Sequence, residues 1–165
     1  ELVPRRNARV RKITDIEIRQ IYALRKVLEA HSAASAAEFA NPQDILHIET
    51  ALVRQKNLPR DCSATEQTAA DLAFHASIAS AARSQILLTV MTQVLSLTAT
   101  LRSRVKYDAQ RSRRALAEHR AVLAAIKARS PEAAREAMSK HIDASVVYVQ
   151  GLAPVSGAGT KAAAE

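Results

Sequence analysis

At 165 residues, the chain has room for one domain with a single core. It is 48% hydrophobic, with 3% aromatics, three glycines and no tryptophan, a composition that favours helices over a β-sheet. The net charge of +8 is typical of nucleic-acid-binding proteins, but five cations and one acid in residues 1–12 account for half of it. In the rest of the chain, acids and bases are interspersed as on ordinary solvated helix faces. Composition therefore predicts an all-α domain and argues against nucleic-acid binding by its main body.

The compartment is predicted from the cysteine content and from two absent signals. Cys62 is the only cysteine, which excludes an internal disulfide and fits a reducing cytoplasm. The basic N-terminus is not followed by the apolar run of a secretory signal. The longest uncharged stretch, residues 84–101, contains too many Thr, Ser and Gln residues for a membrane span. We therefore expect a cytoplasmic protein without a membrane segment.

Apolar residues recur at three- and four-residue spacings from Ile13 onward, which predicts helices rather than strands. Asp15 is the expected N-cap of the first helix, and Ser63 with Glu66 forms a capping box before the third. Pro131 suits the first position of the sixth helix. Short loops between the helices predict an antiparallel bundle of six to seven helices. The predicted helices span about residues 15–39, 43–56, 64–82, 84–107, 109–128 and 131–150.

The two ends of the chain are predicted to lie outside this bundle, which spans residues 13–150. In residues 1–12, ELVPRRNARVRK, a Pro-Arg-Arg-Asn turn between short apolar runs suggests the remnant of a strand or hairpin. Residues 151–165 contain Gly, Pro and Ser without periodicity, which predicts a disordered tail.

The fourth predicted helix has no charged residue between positions 84 and 101, which is unusual for a helix with one face in water. Its uncharged polar residues share one face, because they follow each other at steps of three and four. We expect this polar stripe to line an internal cavity or a subunit interface, with a neutral solvent-exposed face as the alternative. The stripe comprises Thr89, Gln93, Ser96, Thr100 and Ser103.

Histidines and one aspartate are spaced as a metal site requires. Asp71 and His75 lie four residues apart, so both side chains project from one helix face and can chelate one cation. His119 lies roughly eleven residues before the turn at residues 129–131 and His141 roughly ten after it, so both lie about 16 Å from the hairpin end. Two antiparallel helices thus present imidazoles at one level, and the spacing predicts a shared metal.

Three imidazoles and one carboxylate suit a divalent transition metal, zinc first, with nickel, manganese or iron as alternatives. No Glu-x-x-His motif is present, which argues against a dinuclear carboxylate centre. His31 and His47 lack comparable geometry, and we expect them at the surface or in packing.

The motifs around these residues are Asp71-Leu-Ala-Phe-His75, Glu118-His119-Arg120 and Ala-Met-x-x-His141-Ile. Over about residues 15–149, the pattern resembles the FCD effector-binding domain of the FadR subfamily of GntR-type bacterial transcription regulators. The resemblance implies a homodimeric helical bundle that binds one divalent metal through Asp71 and the three histidines and senses small organic acids. It departs from the family at residues 83–84, Arg-Ser, where many relatives have Gly-Asn.

The same resemblance offers an account of the basic arm. ELVPRRNARV is similar to the last strand of the wing in the winged helix-turn-helix that precedes this domain in the family. The chain then looks like the sensor of a repressor that reaches operator DNA through a domain absent from this sequence.

Two arginines are candidates for effector binding. Members of the family have an arginine at the position of Arg25 near the pocket, whereas an (i, i+4) ion pair with Glu29 is an equally good account of it. Arg102 ends the uncharged helix beside the polar stripe, where it could bind an anion with two hydrogen bonds. With these arginines, the stripe residues Thr89, Gln93, Ser96 and Thr100 complete the predicted effector site.

Two other functions compete with a ligand-responsive regulator. A mononuclear metalloenzyme acting on a small organic acid needs a general base near its metal. The sequence does not place one there, because Asp71 is already a ligand and Glu118 projects about 100° away from His119. A nucleic-acid-binding module depends only on the basic arm, without interleaved aromatic residues or a complete recognition motif. We therefore expect a regulator domain that is not an enzyme.

Overall fold

The computed structural model describes residues 14–59, 61–102 and 108–152. Within these ranges the chain forms six helices and no strand, which confirms the predicted all-α bundle. Nearly every observed boundary lies within two residues of the predicted one; the predicted end of the fourth helix falls at residue 107, outside the described ranges. The helices are α1 (Asp15–Phe39), α2 (Pro42–Lys56), α3 (Ala64–Ala81), α4 (Gln85–Arg102), α5 (Ala109–Lys127) and α6 (Pro131–Leu152).

The N-cap of the first helix lies one residue before the predicted cap. Thr14, not Asp15, is the N-cap: its hydroxyl accepts from the Glu17 N–H at 3.2 Å, and the Glu17 carboxylate accepts from the Thr14 N–H at 2.8 Å. Asp15 instead occupies the first turn, where its negative charge interacts favourably with the positive end of the helix dipole. The predicted capping box of Ser63 and Glu66 is confirmed at α3.

The bundle is organised around α1, which contacts α3, α4, α5 and most extensively α6. Alanines make this possible, because Ala33, Ala36 and Ala37 are almost fully buried and let neighbouring helices approach closely. Larger apolar side chains from the surrounding helices close the core. They include Ile48, Phe74, Ile78, Val122, Ile126 and Met138, each of which is essentially fully buried and stabilises the fold by about 1.5–3 kcal/mol.

Two predicted segments fall at the limits of the described residues. The predicted arm, residues 1–12, and nearly all of the predicted tail, residues 151–165, lie outside them. None of the described helices is both long enough and apolar enough to cross a membrane.

Candidate metal centre

Three buried histidines from three helices meet between α3, α5 and α6. His75, His119 and His141 are at most 1% exposed. One ring nitrogen from each lies within 4.8 Å of the other two, and His119 Nε2 lies 3.2 Å from His141 Nε2. His119 and His141 therefore lie at the same height on the two sides of the α5–α6 turn, and their rings meet there.

The Nδ1 atom of each imidazole faces an acceptor. His119 Nδ1 lies 2.8 Å from Gln55 Oε1, His141 Nδ1 lies 2.7 Å from Glu118 Oε2, and His75 Nδ1 contacts Glu29 Oε2. These acceptors favour the proton on Nδ1 and leave a lone pair on Nε2.

With the protons on Nδ1, two lone pairs face each other across the 3.2 Å between His119 Nε2 and His141 Nε2. Burial lowers the pKa of His119 well below its usual range, and burial also lowers the pKa of His141 although Glu118 opposes it. Both rings are therefore neutral, as metal coordination requires.

The spacing fits a divalent metal. With metal–nitrogen bonds of 2.0–2.1 Å, two ligands of a tetrahedral site lie about 3.3 Å apart, close to the observed 3.2 Å. Asp71 lies at the edge of this group, with Oδ2 3.8 Å from His75 Nε2 and Oδ1 3.8 Å from His119 Nε2. The structure thus brings together the four residues that the sequence singled out, with the three histidines as the group that could hold a metal and Asp71 beside them.

Asp71 is ionised and bound on both oxygens. Gln55 Nε2 donates to Oδ1 at 3.2 Å, and Arg102 Nη1 donates to Oδ2. Burial alone would raise the pKa of Asp71, but the Arg102 guanidinium beside it holds that pKa well below its usual range.

Behind His75, a buried ion pair joins Arg25 to Glu29. Arg25 Nε lies 2.5 Å from Glu29 Oε1, which confirms the (i, i+4) alternative for this arginine. Although burial opposes ionisation of Glu29, Arg25 and the His75 ring lower its pKa to about 2. Arg25 Nη1 and Nη2 are buried and have no hydrogen-bond partner among the described residues.

A polar cavity reaches this centre from the ends of α4 and α5. Asp71 and Arg102 form part of its wall, as do Tyr22 and Arg111. Arg111 Nη1 donates to both oxygens of Glu118 at 3.0 Å. The cavity thus touches one candidate metal ligand, Asp71, directly and is linked to a second, His141, through Arg111 and Glu118. Its other polar lining residues include Gln67, Thr68, Ser112, Ser145 and Tyr148.

The sequence model of the FCD domain matches residues 20–144. The chain belongs to the FCD domain family. This membership places it with the ligand-sensing domains of GntR-type transcription regulators rather than with enzymes, as the sequence predicts.

Solved structures share the fold of this FCD domain. Escherichia coli McbR/YncC aligns with a TM-score of 0.72 at 19% identity, over 86% of this chain and 68% of that one. Streptococcus agalactiae GntR aligns with a TM-score of 0.69 at 20% identity, over 84% and 62%. A GntR-family regulator from Pseudomonas syringae pv. tomato aligns with a TM-score of 0.65 at 15% identity, over 84% and 60%. The FCD chain thus spans about two thirds or less of these regulators. No curated protein sequence matches it.

The structure does not bring the α4 stripe to the cavity of this FCD domain. The residues of the stripe that it describes, Thr89, Gln93, Ser96 and Thr100, are exposed, and none of them lines the cavity. The Thr89 hydroxyl donates to its own helix, at Gln85 O. The stripe faces outward because α4 buries a different face, formed by Leu87, Met91, Val94, Leu95, Thr98 and Leu101. An enclosing cavity is therefore the wrong interpretation of this helix.

Sequence analysis identified the four candidate ligands but not the residues that orient them. Gln55 and Glu118 accept from His119 and His141, and Glu29 contacts His75. Sequence analysis had named Glu29 only as a partner of Arg25 and Glu118 only as a neighbour of His119, and it had not named Gln55. Glu118 indeed points away from His119, and it reaches His141 on α6 instead. His31 and His47 are exposed, in agreement with the expectation that they lie outside the site.

Proposed function

We propose that this FCD domain binds one divalent metal through Asp71, His75, His119 and His141, with zinc as the first candidate. The main support is the pair of Nε2 lone pairs that face each other at 3.2 Å while both Nδ1 atoms are bonded elsewhere. A cation between the rings is the partner that this arrangement lacks.

We further propose that the effector is a small carboxylate that enters the polar cavity. A metal in this centre supplies positive charge, and a fifth coordination position beyond the four protein ligands would be open to the acid. Arg102 supplies a guanidinium on the cavity wall, where it can bind a carboxylate with two hydrogen bonds.

Two unpartnered groups also favour an oxygen-rich ligand. The Tyr22 hydroxyl and the terminal nitrogens of Arg25 are buried without a hydrogen-bond partner among the residues that the structure describes. An unsatisfied buried polar group costs about 1–3 kcal/mol. A ligand that reaches Tyr22 in the cavity wall gains part of that free energy, and a rearrangement of Arg25 toward it would add to selectivity.

The complete protein is proposed to be a homodimeric repressor of the GntR type. In this proposal a winged helix-turn-helix domain precedes residue 1 and reads operator DNA, and the basic arm is the end of its wing. The shared fold of McbR/YncC and GntR supports the assignment. The uncharged outer face of α4, with Ile86 and Leu97 exposed, is a candidate dimer interface.

The cavity favours a sensor over a metalloenzyme. Its two acidic lining residues are both in use, since Asp71 accepts from Arg102 and Gln55 while Asp108 caps α5. Glu118 is likewise bound to Arg111 and His141. None of these carboxylates is placed to act as a general base.

Elemental analysis and a ligand screen test the proposal. The purified domain should contain about one equivalent of a divalent metal, and small carboxylates should raise its melting temperature more with metal than with a chelator. A domain that binds none of zinc, nickel, manganese and iron would refute the metal centre. Acids that stabilise the chelated protein equally well would place the effector elsewhere.

A further inference from the structure

We infer that Arg102 competes with the metal for Asp71, so that this arginine weakens metal binding and couples it to the binding of an anion. The inference rests on the proposed metal centre and assigns a role to one residue within it. It follows from a contrast between the four candidate ligands: the imidazoles face hydrogen-bond acceptors, whereas Asp71 faces hydrogen-bond donors.

The outer partners of the imidazoles strengthen them as ligands. Glu29, Gln55 and Glu118 each present an acceptor to an Nδ1 atom. An acceptor at Nδ1 makes the imidazole more basic at Nε2 and hence a better ligand.

The partners of Asp71 have the opposite effect. Both of its oxygens accept hydrogen bonds, Oδ1 from the neutral Gln55 amide and Oδ2 from the Arg102 guanidinium. A cationic donor withdraws charge from the carboxylate and repels a second cation placed beside it. Asp71 is therefore the one candidate ligand whose donor strength its surroundings reduce.

The position of Asp71 agrees with this competition. The candidate ligand atoms that all lie within 4.8 Å of one another come from the three histidines, and no oxygen of Asp71 is among them. Its oxygens lie 3.8 Å from the nearest Nε2 atoms, against 3.2 Å between His119 and His141. Asp71 thus has to move away from Arg102 to approach the metal as closely as the imidazoles do.

Arg102 is placed to exchange one anion for another. Its side chain is 19% exposed and lines the cavity, whereas Asp71 is 4% exposed behind it. Burial by itself would lower the pKa of Arg102, but Asp71 raises it, so the guanidinium stays charged. When Asp71 turns to the metal, Arg102 becomes available to an anion in the cavity, and an anion that binds Arg102 favours the same movement.

The test measures the affinity for zinc in the absence of any anionic effector, by competition with a chromophoric chelator. Arg102→Gln should bind zinc about tenfold more tightly than wild type, a fold-change that corresponds to about 1.4 kcal/mol and lies near the lower limit for a hydrogen bond to a charged group. Zinc should also raise the melting temperature of Arg102→Gln by more than that of wild type. Arg135→Gln is the matched control, because Arg135 pairs with Glu132 at the surface of α6 and should leave zinc affinity unchanged.

Two further variants separate competition from a general structural effect. In an Asp71→Asn background, Arg102→Gln should raise zinc affinity much less, because the contested carboxylate is gone and only direct repulsion between the guanidinium and zinc is relieved. Arg102→Lys keeps a cation but loses the planar fork, so a smaller gain in affinity is expected, and it serves as the test if Arg102→Gln does not fold.

Zinc affinity in Arg102→Gln that equals or falls below the wild-type value would overturn the competition and leave the metal centre intact. The same gain in the Asp71→Asn background would also overturn it. Failure of wild type and both Arg102 variants to bind zinc would overturn the metal centre itself.

Discussion

Gln55 is the residue whose replacement most directly tests how the metal centre is built. It is 6% exposed, accepts from His119 Nδ1 at 2.8 Å and donates to Asp71 Oδ1 at 3.2 Å. Gln55→Leu keeps most of the side-chain volume and removes both hydrogen bonds. One of these is a neutral bond and the other involves a charged carboxylate, so together their loss should lower the free energy of unfolding by about 2–4 kcal/mol.

The effect on metal binding should be separate from this loss of stability. Without Gln55, the His119 ring loses the acceptor that sets its tautomer, and zinc affinity should fall by about 10–100-fold. Urea unfolding in chelator measures the first effect, and zinc competition in native buffer measures the second. Gln43→Leu on the same helix is the control, because Gln43 is exposed and its side chain bonds to the surface residue His47. Wild-type zinc affinity in Gln55→Leu would refute the role of the outer acceptors.

Other expectations concern the ligands, the effector and pH. His119→Ala or His141→Ala should lower metal content and melting temperature together, while His31→Ala, at an exposed position, should change neither; unchanged metal content in both variants would remove the site. Arg102→Ala should weaken binding of a carboxylate effector by about 1.5–3 kcal/mol in calorimetry, and equal binding by wild type and variant would exclude Arg102 from the effector site. The primary amide of an acid that binds should bind far more weakly to the metal-loaded protein, and a comparable affinity would show that charge is not what the site recognises. In chelator, the free energy of unfolding should fall as pH decreases through about 6.5, by up to about 1.4 kcal/mol per histidine and pH unit. The reason is that burial lowers the pKa of His119 and His141, so that only the unfolded chain binds protons there; stability that stays constant between pH 7.5 and 5.5 would contradict it.

The helices were predictable because their signals are local. Apolar spacing and Pro131 set the boundaries within about one turn, and the fold follows from short loops between long helices. The one incorrect cap shows where local rules need care. Thr14 and Asp15 are both good N-cap residues, but only Thr14 has an acid three positions later, Glu17, to complete a capping box.

The candidate ligands were predictable for the same reason, and their partners were not. Asp71 and His75 share one helix, and the α5–α6 turn alone sets the level of His119 and His141. The pairing of Gln55 with His119 spans 64 residues and depends on how α2 packs against α5. Sequence spacing also shows which residues of α4 share a face but not which way that face points, and this is why the polar stripe was misplaced.

The charges around the centre give an account of acid recognition that does not depend on family resemblance. Three carboxylates contact the imidazoles or lie beside them, and each of the three is paired with an arginine: Glu29 with Arg25, Asp71 with Arg102, and Glu118 with Arg111. These pairs sum to zero charge, so a divalent metal adds two positive charges to a largely buried site. A buried charge without a counterion is costly, whereas an anion in the adjoining cavity offsets that cost. Because Arg102 and Arg111 lie on the cavity wall, the anion that compensates the metal meets guanidinium groups as it enters. In the proposed function, the metal would therefore favour binding of an acid, and the arginines would determine where in the cavity that acid binds.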